Sequence, residues 1–208
     1  MLTSLLVVLA LLVVVALVLA GVYNRLVTLR ERVRTAFAQI DVQLERRHDL
    51  IPNLVETAKG YLRHERATLE AVVQARAAAT QARVEVSGDS ANLAAMGRLG
   101  ATESALGGAL GRLLAVAEAY PDLKADRTMM QLTEELTTTE NKIAFARQNY
   151  NDQVNTYQTY KASFPPVLIA GSLGFRDSAY LSLDATAEKR ENVAVSFDDV
   201  VPSQRSAR

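Results

Sequence analysis

A chain of 208 residues whose first two dozen stand apart by their apolarity has room for one further domain of ordinary size. Lys plus Arg and Asp plus Glu each total 23, so the basic footprint that nucleic-acid binding requires is missing. Cysteine and tryptophan are absent, histidine occurs twice and aromatics make up 6%, which excludes disulfides, thiolate nucleophiles, Fe–S clusters and nearly every soft-metal site, and favours helices over strands.

Residues 5–22 read LLVVLALLVVVALVLAGV without a polar or charged side chain. About 20 such residues cross a hydrocarbon core. The competing reading is a cleavable signal peptide processed after Ala20, with Val18 and Ala20 as the small residues. Against it, Met1, Leu2, Thr3 and Ser4 supply no basic n-region, and the run is longer than the roughly 7–15 residues of a signal-peptide core. An uncleaved single-pass anchor is therefore expected. No basic residue precedes the span, whereas Arg25, Arg30, Arg32 and Arg34 follow it closely. The positive-inside rule then places the N-terminus outside and the rest of the chain in the cytoplasm, with Tyr23 as an interfacial aromatic.

Leu26, Leu29, Val33, Ala36/Phe37, Ile40 and Leu44 recur at steps of three and four, so the membrane helix is expected to run on to about residue 47. In HDLIPNL, Asp49 can cap a helix and Pro52 can occupy its first turn, which predicts a turn; the alternative is a proline kink inside one very long helix. A second helix is expected over 52–83, ended by Gly88, and a third over 91–119, capped by Asp89 or Ser90. The third helix is rich in glycine. The spacing of Gly107 and Gly111 permits close approach of a neighbouring helix, which would compensate their low helix propensity. Pro121 opens a fourth helix, in which Met129, Leu132, Leu136, Thr139, Ile143, Ala146, Tyr150, Val154 and Tyr157 keep a coiled-coil-like rhythm to about residue 163. After Phe164-Pro165-Pro166 the chain turns apolar and then polar, with a short strand expected at 193–197 and disorder at the end.

The fold class is thus all-α: an anchor at 1–22, a four-helix antiparallel up-down bundle at 23–163, and an irregular tail at 164–208. The up-down path returns the tail to the membrane side, which makes Leu168, Ile169 and Phe175 candidates for the membrane surface.

Little in the chain points to chemistry. His48 and His64 form no HExxH ligand pair, and no nucleophile elbow, phosphate loop or dinucleotide fingerprint occurs. No cofactor is expected and no enzyme. Asp41 lies beside the apolar stripe and is read as a structural ion pair with Arg46, Arg47 or a neighbouring helix. Glu140, Asn141, Arg147, Tyr150 and Asn151 form a polar cluster that either fixes bundle register or presents a binding face.

IDVQLERRHDLIPNLVETAKGY at 40–61, behind the apolar helix and YNRLVTLR, together with AYPDLKA, TENKIAFARQNYND and FPPVLIAGSLGF, resembles the LemA family of bacterial proteins over nearly the whole chain. Phe37 departs from the pattern, in which tryptophan is favoured. The resemblance implies an N-terminal anchor, a short extracytoplasmic N-terminus and a cytoplasmic helix bundle, and no enzymatic activity. Asp49, Pro52 and Asn53 join Asp41, Arg46 and Arg47 as structural or partner-binding candidates in the first motif. Similar proteins include magnetosome-associated members, which points to roles in organising membranes. The expected function is a scaffold or adaptor at the bacterial inner membrane, with the lipid bilayer, further copies of the chain and other membrane proteins as partners. A sensor with a small-ligand pocket between helices is the alternative.

Overall fold

The computed structural model describes residues 1–88 and 92–183. Its first element, α1 (Leu2–Lys59), is one unbroken helix of 58 residues, roughly 87 Å long at 1.5 Å per residue. Residues 2–21 stand clear of the rest of the molecule with their apolar side chains exposed; Val22 is the first residue to be buried. This exposed stretch is long and apolar enough to cross a membrane. From Val22 onward the same helix contributes one stripe to a core: Leu26, Leu29, Val33, Phe37, Ile40, Leu44, Ile51, Leu54, Val55 and Ala58.

The turn expected at Pro52 does not form. Pro52 lies inside α1, which ends at Gly60, and Asp49 is an exposed mid-helix residue rather than a cap. The second helix therefore starts later than expected, as α2 (Arg66–Gly88), after a link at 60–65 in which Leu62 is buried. A third helix, α3 (Leu93–Ala117), is capped by Asn92, whose side chain accepts from the Ala95 N–H at 3.1 Å. The expected caps Asp89 and Ser90 lie outside the described residues.

Pro121 opens only a single turn, α4 (Pro121–Lys124). The long last helix, α5 (Arg127–Ala162), starts after it with Asp126 as N-cap, accepting from the Met129 N–H at 2.9 Å. A 3₁₀ turn at Pro166–Leu168 follows, and residues 176–183 run back along the bundle without helical structure. The strand expected at 193–197 lies outside the described residues.

The helices α1, α2, α3 and α5 form an antiparallel up-down bundle, with α1 packed between α5 and α2, and α2 paired with α3. Its core comes in two sections. The section nearer the span joins Leu26 to Leu44 of α1, Ala82 and Val86 of α2, Met96 and Leu99 of α3, Ile143 to Tyr157 of α5, and Phe175 and Leu181 of the tail. The far section joins Ile51 to Ala58, Leu69 to Ala79, Leu106 to Leu113 and Met129 to Leu136.

Close approach in α3 does not occur where the glycine spacing placed it. A Cβ at Gly107 or Gly111 would meet nothing within 4 Å, so both face open space within this chain. The tight position is Gly100, where a Cβ would come within 2.2 Å of the Ser182 carbonyl oxygen. Glycine is needed there because the returning tail lies directly on the helix.

Candidate functional site

Between the two core sections every bundle helix contributes a polar residue at one level. Arg47 and His48 come from α1, Arg76 and Thr80 from α2, Glu103 from α3, and Thr139 and Glu140 from α5. Arg47 and Glu103 are each only 2% exposed. Charges that deep must be paired. Glu103 is held on both oxygens: Arg47 Nη2 donates to Oε2 at 2.5 Å, and His48 Nε2 lies 2.8 Å from Oε1. A carboxylate only accepts, so Nε2 carries the proton of this bond. Arg47 Nη1 reaches the Glu140 carboxylate, and Nη2 also donates to the Glu103 carbonyl at 3.2 Å. One guanidinium thus ties α1 to α3 and α5.

Pro52 explains the remaining link. Lacking an N–H, it cannot bond the carbonyl of the residue four positions earlier, which is His48. Arg76 of α2 takes its place, donating from Nε to the His48 oxygen at 2.6 Å. Thr80, which donates to the Arg76 carbonyl at 2.9 Å, lies 3.3 Å from His48 Nδ1. The proline that the sequence presents as a break is an inter-helix joint.

The other anticipated residues divide clearly. Asp41 pairs with a neighbouring helix, accepting from Arg83 Nη1 at 3.1 Å and Ser87 Oγ at 3.3 Å, not with Arg46 or Arg47. Arg46 makes an exposed pair with Glu135 at 3.6 Å. Asn53 and Asn141 are exposed, and the Asn53 carbonyl accepts from Thr57. Arg147 is half-buried beside a shallow groove that also includes Phe145 and Asn151.

Tyr150 and Asn151 act on the tail. Tyr150 donates to the Ala179 carbonyl at 2.7 Å, and burial pushes its hydroxyl up to about 12. Its ring packs edge-on against Phe37 at 5.8 Å, so phenylalanine serves as an aromatic plug at this position. The Asn151 amide engages both the carbonyl (3.1 Å) and the N–H (3.0 Å) of Leu181, as a neighbouring strand would. Tyr157 donates to the Arg176 carbonyl at 2.8 Å, and Gln158 to the Ser178 carbonyl at 2.5 Å. Four side chains of α5 thereby hold the backbone of the extended tail.

Of the three membrane-surface candidates, Leu168 alone is exposed. Phe175 is 5% exposed, packed on Tyr23 and under Arg30, and Ile169 is half-buried against the same core. Sequence reasoning missed Glu103 and Arg76. Glu103 had a signal, since it continues the stripe of Met96, Leu99, Leu106 and Leu110; Arg76 had none, because the carbonyl it serves is orphaned by a residue on another helix.

Among the described residues no three metal-ligating side chains converge. Two open grooves lie at the end far from the span. One, of about 500 Å³, is lined by Val55, Leu62, Leu69 and Val73 with Arg63 and Arg66; the other, of about 560 Å³, lies between α3 and α5 around Met129 and Met130.

An exposed apolar helix that runs into an antiparallel bundle, stapled by a buried polar layer, defines a membrane-associated helical protein. The chain belongs to the LemA family, whose model matches residues 36–197. It is 28% identical over 175 residues to each of two Paramagnetospirillum magneticum proteins, magnetosome proteins MamQ 1 and MamQ 2. It is also 25% identical over 173 residues to magnetosome protein MamQ of Magnetospirillum gryphiswaldense. Each match covers 76% of this chain and 64% of the relative's length.

Proposed function

We propose that this protein is a single-pass, membrane-tethered scaffold, with its bundle on the cytoplasmic side of a bacterial inner membrane, that assembles with further copies of itself and with other membrane proteins and performs no catalysis. The observation that carries this reading is the continuity of α1. Span and bundle share one helix without a hinge, so the bundle is held upright on the bilayer, with its outer faces turned to neighbours. Val42, Val84 and Phe145 expose large apolar side chains on three of the helices. Scattered singly they are ordinary, but on a tethered bundle they are available to a partner confined to the same plane. The magnetosome names of its relatives support a place in organising membranes. The basic residues Arg25, Arg30, Arg32 and Arg34 after the span support the cytoplasmic side.

The reading is tested by placing a photoreactive amino acid at Val42, Val84 or Phe145 in turn and irradiating intact cells. Crosslinks at multiples of the monomer mass are expected from at least one position. Monomer alone from all three would contradict self-association.

A further inference from the structure

The loop after α5 has two faces. Its inner face is core: Pro166, Ala170 and Phe175 are buried. Gly174, at φ +77°, turns the chain so that the Phe175 N–H donates to the Ala170 carbonyl at 3.0 Å. The Phe175 ring then meets Tyr23 edge-on at 5.8 Å, with the Arg30 guanidinium 5.2 Å from its centre. The outer face is apolar and uncovered, with Phe164 79% and Leu168 70% exposed, and Val167 and Leu173 about half exposed.

The position of this face follows from the pairing of α1 with α5. Arg47 meets Glu140, Gln39 meets Asn149 and Phe37 meets Tyr150, a steady antiparallel register. Both helices rise equally per residue, so the same register brings Ser163 level with Asn24. Phe164 and the residues after it therefore lie at the level where the exposed apolar stretch of α1 ends, and Phe175 on Tyr23 fixes them there. Arg25, Arg30 and Arg176 are exposed around the same level.

We infer that the outer face of residues 164–173 is a second membrane contact, in which Phe164, Val167, Leu168 and Leu173 enter the acyl–headgroup boundary of the leaflet from which α1 emerges. The occupant is the phospholipid bilayer, because the exposed apolar side chains of the loop lie at the level where the apolar surface of the span ends, while the arginines beside it match anionic headgroups. Two attachment points, rather than one, keep the bundle from swivelling about α1. This inference rests on the span being in the membrane.

The absence of tryptophan from the chain provides the probe. Leu12→Trp, Phe164→Trp, Leu168→Trp and Phe145→Trp, each exposed in the chain alone, are introduced singly into the full-length protein. Each is reconstituted in phosphatidylcholine–phosphatidylglycerol vesicles with and without bromine on the acyl chains. Phe145 lies 17 residues before the end of α5, roughly 25 Å from the loop, and serves as the aqueous control. The expected result is loss of most emission in brominated vesicles for Leu12→Trp, Phe164→Trp and Leu168→Trp, with Phe145→Trp unchanged. Quenching at Leu12 but not at 164 or 168 would overturn the loop contact and leave the anchor standing. Emission at 164 and 168 that is blue-shifted but unquenched would assign the face to a protein partner or a second copy, and also overturn it. No quenching at Leu12 would overturn both readings.

Discussion

Pro52 withdraws one N–H from the interior of α1, about two turns before its end, and the His48 carbonyl so released is satisfied by Arg76 of a different helix. Leaving a carbonyl without a partner costs about 1–3 kcal/mol, so Arg76→Met, which keeps much of the apolar stem, should destabilise the protein by about that amount. In a Pro52→Ala background the new N–H can take the same carbonyl, and Arg76→Met should then cost markedly less. Thermal unfolding of the four proteins in one detergent measures the coupling; strictly additive effects would show that Arg76 does not replace the missing bond. Part of this layer was legible in the sequence and part was not. Arg47, His48 and Glu103 all fall on apolar stripes, where polar residues signal buried pairing. Their mutual choice depends on the level at which four helices meet, which no single stripe records. Asp41 shows the same limit, since an ion pair was readable but its partner, Arg83, was 42 residues away on α2.

At the scale of elements, α3 illustrates how spacing can point to the wrong contact. Gly107 and Gly111 have a small-residue spacing, yet both face open space, whereas Gly100 bears the tail. Gly107→Ala and Gly111→Ala should each stabilise the helix by up to about 1 kcal/mol, since alanine is the better helix former and nothing obstructs its methyl group. Gly100→Ala should destabilise by about 1–3 kcal/mol, the usual range for overpacking, and release the 176–183 segment to protease. Stabilisation by Gly100→Ala, or destabilisation by the other two, would contradict these packing assignments. The boundaries of α1 and α2 were misplaced for a related reason: Pro52 carries a strong local stop signal, but tertiary packing on both sides and the Arg76 bond override it.

At the scale of the whole molecule, the apolar span and the up-down order of helices were legible, because each rests on long periodic runs. The path of the tail was not. Residues 176–183 have no helical period, and their backbone is held by Tyr150, Asn151, Tyr157 and Gln158, of which Tyr150 and Asn151 read in sequence as part of a polar cluster, Tyr157 as a stripe residue and Gln158 not at all. Phe175, taken alone, looks like a membrane residue, and it is the left-handed turn at Gly174 that folds it inward onto Tyr23. These contacts make the bundle an extension of the exposed apolar stretch of α1, and in the proposed function the side of the membrane on which the bundle stands determines which partners it can reach. The most direct test uses the absence of cysteine: Thr3→Cys, ahead of the span, and Thr137→Cys, exposed on α5, are labelled separately in intact cells with a membrane-impermeant maleimide. The account predicts that Cys at position 3 reacts in intact cells and that Cys at position 137 reacts only after permeabilisation. Labelling at position 137 in intact cells would contradict it.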